Sequence, residues 1–428
     1  MKKIVLSIAA VMAAAAFAPE ASAVPVFARQ TGMACSACHF QHFPLLNGFG
    51  RAFKSSGFTM MGAQGKVEGE HLSIPSTLNM AVLATTYLQS ESGTSANGRW
   101  GVPGSGGELS LFAGGRVSEF AGFLTELGFA GAGALAAAKM PMLFEVAEGT
   151  RVGLVPFTTS GQGAGYSFET LNTGAVGGVH RLMGNAGPSL QHGRATSAAM
   201  YLGGGRTNAT GLSFVVNNDR GFLNIAKFEA AAAGTGVAVS LPLTYVRAAG
   251  FVDVAGWELA GGVQSWSGTS TQTVPVVLAN TSLRSTVIDF QAQGEMGNTP
   301  VGVYASYGTS PATAAGVLNA LNPTVTNFNS KGAVGAVSAN QASSFNLAAD
   351  IGVIPGLMTV QFGLRQAKLG DAVASTDNAF MVGATYELAQ NVELALNFTT
   401  QSGTAWNAVA GATPVGKNAS TLLLETMF

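Results

Sequence analysis

The stretch Asn391-Val392-Glu393-Leu394-Ala395-Leu396-Asn397-Phe398-Thr399-Thr400 decides the fold. Successive side chains of an extended chain point to opposite faces. Val392, Leu394, Leu396 and Phe398 therefore share one face, and Asn391, Glu393, Asn397 and Thr399 the other. Large apolar residues on one face and polar ones on the other, over about ten positions, mark a strand that separates lipid from a polar interior. Working outward, Phe380, Val382, Tyr386 and Leu388 alternate with Met381, Gly383, Thr385 and Glu387. Met358, Val360, Phe362 and Leu364 alternate with Thr359, Gln361, Gly363 and Arg365, and Ile288, Phe290 and Ala292 with Asp289, Gln291, Gln293 and Glu295.

Composition points the same way. The 428 residues are 47% hydrophobic and only 10% charged, with 57 Gly; an average protein has about 25% charged residues and about 7% Gly. A soluble β-sandwich also alternates, but its solvent face carries far more charge. Disorder demands charge and few aliphatic residues. Lys+Arg 21 against Asp+Glu 22 leaves no basic surplus for nucleic acid.

Lys2 and Lys3 precede an apolar run from Ile4 to Phe17, and Ala21-Ser22-Ala23 supplies a small-residue cleavage site. Residues 1–23 thus read as a signal peptide for export. No uncharged apolar run of about 20 residues, the length a spanning helix needs, follows it. Helices and closed barrels are the structures that satisfy their backbone in lipid. Residues 76–428 are therefore expected to form a mainly β, transmembrane outer-membrane barrel. Counting from Leu78 gives roughly 17 candidate strands, and the even-number rule for single-chain barrels turns this into about 16 antiparallel strands, with about 18 as the alternative. The ambiguity lies between Arg151 and Glu229, where the segment from Thr158 to Arg194 is either a loop or hides a strand. Four stretches rich in Ser, Thr, Asn and Gly, from Gln89 to Gly107, Ser267 to Arg284, Thr309 to Ser343 and Gln401 to Asn418, read as extracellular loops. Leu422, Leu424 and the terminal Phe428 share a face, an ending that resembles the assembly signal of bacterial outer-membrane barrels.

The two cysteines stand in Cys35-Ser36-Ala37-Cys38-His39, the C-x-x-C-H pattern for covalent attachment of c-type haem. Thiols three residues apart form thioethers to two vinyl groups, and the next residue, His39, supplies the proximal iron ligand. A redox C-x-x-C would not require His39. A zinc site of Cys35, Cys38 and His42 has suitable ligand types but lacks a second ligand pair. Candidates for the sixth iron ligand are Met60 and Met61, with His42 and His71 ranked below them; an unmatched Met also serves as a core gap-filler.

Pro44 sits where a helix can begin, with Leu46, Phe49, Gly50 and Phe53 near one face, Arg51 and Lys54 on the other, and Gly57 at the stop. Arg51 and Lys54 suit haem propionates, and equally suit the macrodipole of a helix C-terminus. His180 and His192 fall in a loop. Residues 24–75 make a monohaem cytochrome segment too small for a core of its own, so shielding must come from the barrel. An N-terminal α-helical cytochrome plugging the lumen follows. Glu126, Asp289, Glu295 and Glu393 either draw cations inward or simply line the barrel; no iron site is assigned.

The run Pro25-Val26-Phe27-Ala28-Arg29-Gln30-Thr31-Gly32, then Cys35, Cys38 and His39, Phe43-Pro44, Phe49-Gly50-Arg51, Phe53-Lys54 and Gly57 resembles the fused monohaem cytochrome–porins of the outer membrane of iron-oxidising bacteria. Leu171-Asn172-Thr173-Gly174-Ala175 is similar to that family as well. The resemblance implies an outer-membrane oxidase of extracellular Fe(II), with one haem c, that passes electrons to periplasmic c-type cytochromes. A haem-plugged porin, or a conduit for another electron donor, is the alternative.

Overall fold

Sixteen antiparallel strands close into a barrel through the two ends of the chain. In order they are β1 (Asn79–Glu91), β2 (Arg99–Pro103, continued by Gly106–Gly107 and Leu109–Arg116), β3 (Gly122–Gly128), β4 (Leu135–Lys139, continued by Met142–Ala147), β5 (Thr150–Thr159), β6 (Ala209–Asn218), β7 (Gly221–Glu229) and β8 (Leu243–Val254). Then follow β9 (Trp257–Ser267), β10 (Ser285–Met296), β11 (Thr299–Ser310), β12 (Ala342–Ile354), β13 (Met358–Lys368), β14 (Asn378–Ala389), β15 (Val392–Ser402) and β16 (Asn418–Met427). This computed structural model describes residues 26–428 apart from 63, 71, 93–97, 130–134, 175–196, 203–206, 235, 238–239, 271–280, 314–317, 320–338 and 408–416. The expected signal peptide, His71, Ala175, His180 and His192 lie outside the described residues.

Closure is made by β16 on β1, in register from Ala419 opposite Glu91 to Met427 opposite Leu83. Phe428 and Val82 then exchange backbone hydrogen bonds of 3.0 and 2.6 Å. Two of the wall strands come in pieces. Both halves of β4 pair with β5, and the break falls at Met140-Pro141, where proline has no N–H to give the ladder. Likewise the two main pieces of β2 pair with upper and lower β1.

The wall is inside out by the standard of a soluble protein. Along β15, Leu396 and Phe398 are exposed while Ala395, Asn397, Thr399 and Gln401 are buried. On β10, Ile288 and Phe290 are exposed while Asp289, Gln291 and Gln293 are buried. Such a wall is stable only where the outer solvent is lipid. One end of the barrel has tight turns at 148–149, 219–220, 255–256, 297–298 and 390–391; at one of them Gly297 adopts φ +67°, which a residue without Cβ takes without strain. The opposite end carries the long connections, an asymmetry that marks the tight-turn end as periplasmic.

The lumen is occupied by the chain itself. Helices α1 (Val26–Thr31), α2 (Cys35–Cys38) and α3 (Gly48–Ser55) belong to a segment that makes one circuit of the inner wall. It starts at β2, where the side chain of Gln30 accepts from the Arg116 backbone N–H at 2.9 Å. Next, the Cys35 thiol donates to Asn391 Oδ1, between β14 and β15, at 3.3 Å. His42 then reaches Asp350 of β12 and Gln361 of β13. Arg51 meets Gln293 of β10, Glu258 of β9 and the Phe251 ring of β8. Gly57 faces Pro141 and Leu143 beside β4, and the Thr59 carbonyl returns to Arg116 of β2 at 3.1 Å. Gln30 ties the circuit shut, its side-chain amide donating to the carbonyls of Phe58 and Met60 at 2.7 Å each.

A second occupant is the β5–β6 connection. The stretch from Thr158 to Arg194, as far as it is described, neither projects outward nor hides a strand. Residues 164–174 are all buried, and several of their polar groups find partners across the lumen. Arg247 of β8 binds Glu169 at 2.9 Å and Asp289 at 2.6 Å, and Asn224 donates to Ser167 and the Phe168 carbonyl. Helix α4 (Ala198–Tyr201) packs with Leu202 among Phe157, Phe228, Tyr245, Trp266, Leu283 and other wall residues.

Candidate functional site

Helix α2 consists of the four residues from Cys35 to Cys38. Positions three apart on a helix are neighbours, so the two thiols present side by side; neither is in a disulfide. Burial, with the Glu387 charge adding to it, pushes the Cys35 thiol above its usual range, and burial does the same to Cys38 beside Cys35.

His39 follows directly, and its surroundings are built by the turn that comes next. The backbone N–H of Phe40 donates to the Leu45 carbonyl at 2.9 Å, and His39 forms a bridge with Leu46. The same Leu45 carbonyl lies 3.0 Å from Nδ1 of His39. Donation of the Nδ1 proton to a carbonyl fixes the tautomer with the lone pair on Nε2, and a backbone carbonyl is the usual outer partner of a metal-bound imidazole. Phe43 packs edge-on against the His39 ring at 5.1 Å.

Asn47 joins α2 to α3. Its side-chain amide donates to the Ser36 and Ala37 carbonyls, at 3.3 and 3.1 Å, and its oxygen caps α3 by accepting from Gly50 N–H at 3.0 Å. Helix α3 therefore starts at Gly48 rather than at Pro44. Gly57 ends it with φ +74°, as the sequence predicts. A Cβ on Gly50 would stand 2.1 Å from the Cys38 carbonyl oxygen, so glycine is what lets α3 press on the cysteine helix. From the opposite side Asn172 clamps Leu46, accepting from its N–H at 2.8 Å and donating to its carbonyl at 3.0 Å. Thr173 beside it donates to Asp289 at 2.6 Å. The described part of the Leu171 to Ala175 motif thus holds the cysteine segment against the wall.

Several expected residues take other roles. Both ring nitrogens of His42 are engaged: Nδ1 faces the Phe43 carbonyl at 2.8 Å, and Nε2 faces Asp350 at 3.1 Å and Gln361 at 3.0 Å. Burial opposes its positive charge, but the hydrogen bond and charge of Asp350 outweigh that and raise its pKa. Arg51 does not lie on an open helix face; it is 5% exposed, and burial pushes its pKa down to about 10. Asp289 is neutralised by Arg247, Glu126 accepts from Gln162 at 3.0 Å, and Glu295 is exposed near the 297–298 turn. Glu393 stands opposite both Glu387 and Glu425 in the strand register. Among the described residues, no group of three or more His, Cys, Asp or Glu side chains is placed to hold a bare metal ion. Met60 and Met61 are half-buried, and Met60 is fixed through its carbonyl by Gln30. Sequence reasoning missed the Leu45 carbonyl, Asn47 and Asn172; the last was signalled only by its motif.

The residues present fit a covalently attached haem: paired thiols, an imidazole with its tautomer set, and half-exposed Phe43, Leu46 and Phe49 around them. No family model and no curated protein matches the sequence. Solved structures similar in fold include outer-membrane-expressed OmpT of Vibrio cholerae, at 10% identity and TM-score 0.47, covering 85% of this chain and 100% of that one. The outer membrane channel DcaP of Acinetobacter baumannii is similar at 10% identity and TM-score 0.47, covering 82% and 97%. OmpF of Salmonella typhi, in complex with daunomycin, is similar at 11% identity and TM-score 0.47, covering 85% and 100%.

Proposed function

We propose that this chain is an outer-membrane electron conduit that takes electrons from extracellular Fe(II) and passes them to a periplasmic c-type cytochrome, through one haem c attached at Cys35 and Cys38. The carrying observation is the bond between Nδ1 of His39 and the Leu45 carbonyl, in a segment wrapped inside the barrel. Bound there, the haem supplies a one-electron couple whose potential depends on its axial ligands. His39 would hold the haem iron through Nε2, and Met60, or Met61 in its place, would supply the second protein ligand. One electron leaves Fe(II), which becomes Fe(III), and one reaches the oxidised periplasmic carrier; no bond to the chain changes and no proton moves. The chain's own work is to fasten and orient. Asn47 and Asn172 fix the turn that carries His39, and Phe43 packs on its ring.

The test is to load the mature protein with haem in outer membranes and mix the oxidised form with Fe(II). The reduced α-band is expected to appear rapidly, and to be absent in Cys35→Ala and His39→Ala. A fully loaded protein that stays oxidised although its measured potential makes the transfer downhill would overturn the iron assignment. A polar inner wall including Asn346, Gln361 and Thr399 also suits a pore, so single-channel conductance of the loaded barrel in planar bilayers decides for the porin reading if it is large, and against it if absent.

A further inference from the structure

We infer that Lys139 and Lys54 form a carboxylate-binding site on the inner wall and that a haem propionate fills it, an assignment that rests on the haem reading above. Lys139 lies on β4, 6% exposed. Its ammonium donates to the Tyr166 carbonyl at 2.7 Å and sits 4.3 Å from the centroid of the Tyr166 ring and 5.6 Å from that of Phe58. Among the described residues no carboxylate lies within ion-pair distance of it. Outside them the sequence holds one acid, Glu20, upstream of α1. Buried charges are ordinarily paired with an opposite charge. A carbonyl and two ring faces satisfy only part of an ammonium that has three donors.

Lys54 brings a second ammonium to the same wall. It stands in the last turn of α3, and its carbonyl accepts from Gly57 N–H at 3.1 Å. Gly57 packs on Pro141 and Leu143, just beyond Lys139, and Phe58 is the ring that Lys139 faces. The acid nearest in charge to Lys54 is Glu169, whose carboxylate already accepts from Arg247 and from the N–H groups of Thr170 and Leu171. Arg51 differs, since it is matched by Glu258 and Gln293. Two ammonium groups in a low-dielectric lumen repel each other; a two-oxygen anion between them takes a donor from each. Helix α3 also connects this place to the thiols. Gly50 touches the Cys38 carbonyl, and Lys54 is four residues, about 6 Å, further along the axis.

The test uses the loaded protein with 13C-labelled propionates, read by infrared spectroscopy and by the reduction midpoint. In Lys139→Met the carboxylate stretch is expected to move and the midpoint to fall, because a cation beside the propionate favours the reduced state. Lys139→Arg should restore both, Lys54→Met should shift both in the same direction, and the exposed Lys227→Met should shift neither. If Lys139→Met does not fold, Lys54→Met, which leaves the wall intact, decides. An unmoved band and midpoint in a folded, fully loaded variant overturn the assignment. In a Cys35→Ser, Cys38→Ser chain without haem, acetate should raise the unfolding temperature only when Lys139 is present. That result beside an unmoved haem band would assign the site to a free carboxylate and overturn the propionate. If no haem attaches to the wild-type chain, the conduit reading falls, while the acetate arm still judges the two lysines.

Discussion

Along the middle of β15 Leu396 and Phe398 are exposed while Asn397, Thr399 and Gln401 are buried; along residues 164–174 every residue is buried, polar and apolar alike. The wall is sorted by solvent and tolerates any residue of the right polarity on the right face. Its filling is sorted by partner: Glu169 needs Arg247, Asn172 needs the two backbone groups of Leu46, and Gln30 needs the Phe58 and Met60 carbonyls at the far end of its segment. A change of polarity breaks the former, and loss of one hydrogen-bonding atom breaks the latter.

Four experiments put that distinction under strain. Arg247→Met leaves Glu169 and Asp289 buried without their cation, and removing one partner of such a network costs about 3–5 kcal/mol; urea titration of the barrel in lipid vesicles should show the loss. Phe290→Arg attacks the wall instead, placing a charge on the lipid face at mid-strand for about 2–4 kcal/mol. The same titration should show that loss, whereas Phe290→Leu leaves stability nearly unchanged. Gly50→Ala drives a methyl into the Cys38 carbonyl, and overpacking of this kind costs about 1–3 kcal/mol. It is expected to loosen the cysteine segment and lower haem incorporation while the heat-modified gel mobility of the barrel stays normal.

The smallest effect concerns His42. Its folded-state pKa lies above the ordinary 6.5, so its contribution is fully present below about pH 6.5 and fades as pH rises through the higher folded value. Hydrogen exchange of residues 39–46 should therefore quicken on the alkaline side, and His42→Gln should flatten that dependence.

The wall was legible because lipid imposes a period of two that needs no knowledge of partners; Phe290 and Phe398 announce their face. The breaks at Met140-Pro141 and within β2 were not, since either half of a broken strand reads as a strand. The C-x-x-C-H run was legible as chemistry. The Leu45 carbonyl that sets the tautomer was not, because a backbone acceptor has no residue signature. Arg51 was misplaced for a related reason: a helix inside a lumen has no solvent face, and the amphipathic rule that exposes its cations does not apply. Lys139 carries no signature in the sequence; only its surroundings show that, among the described residues, no carboxylate is paired with it.

The pairing of β16 with β1 also sets an order of events. The residues from Val26 to Gly62 are synthesised before any wall strand, and the ring of strands cannot shut until Phe428 has been delivered to Val82. Contents precede container. A group joined to Cys35 and Cys38, as proposed above, would best be joined before the last strand docks, because from then on the segment sits in a vessel made from its own tail.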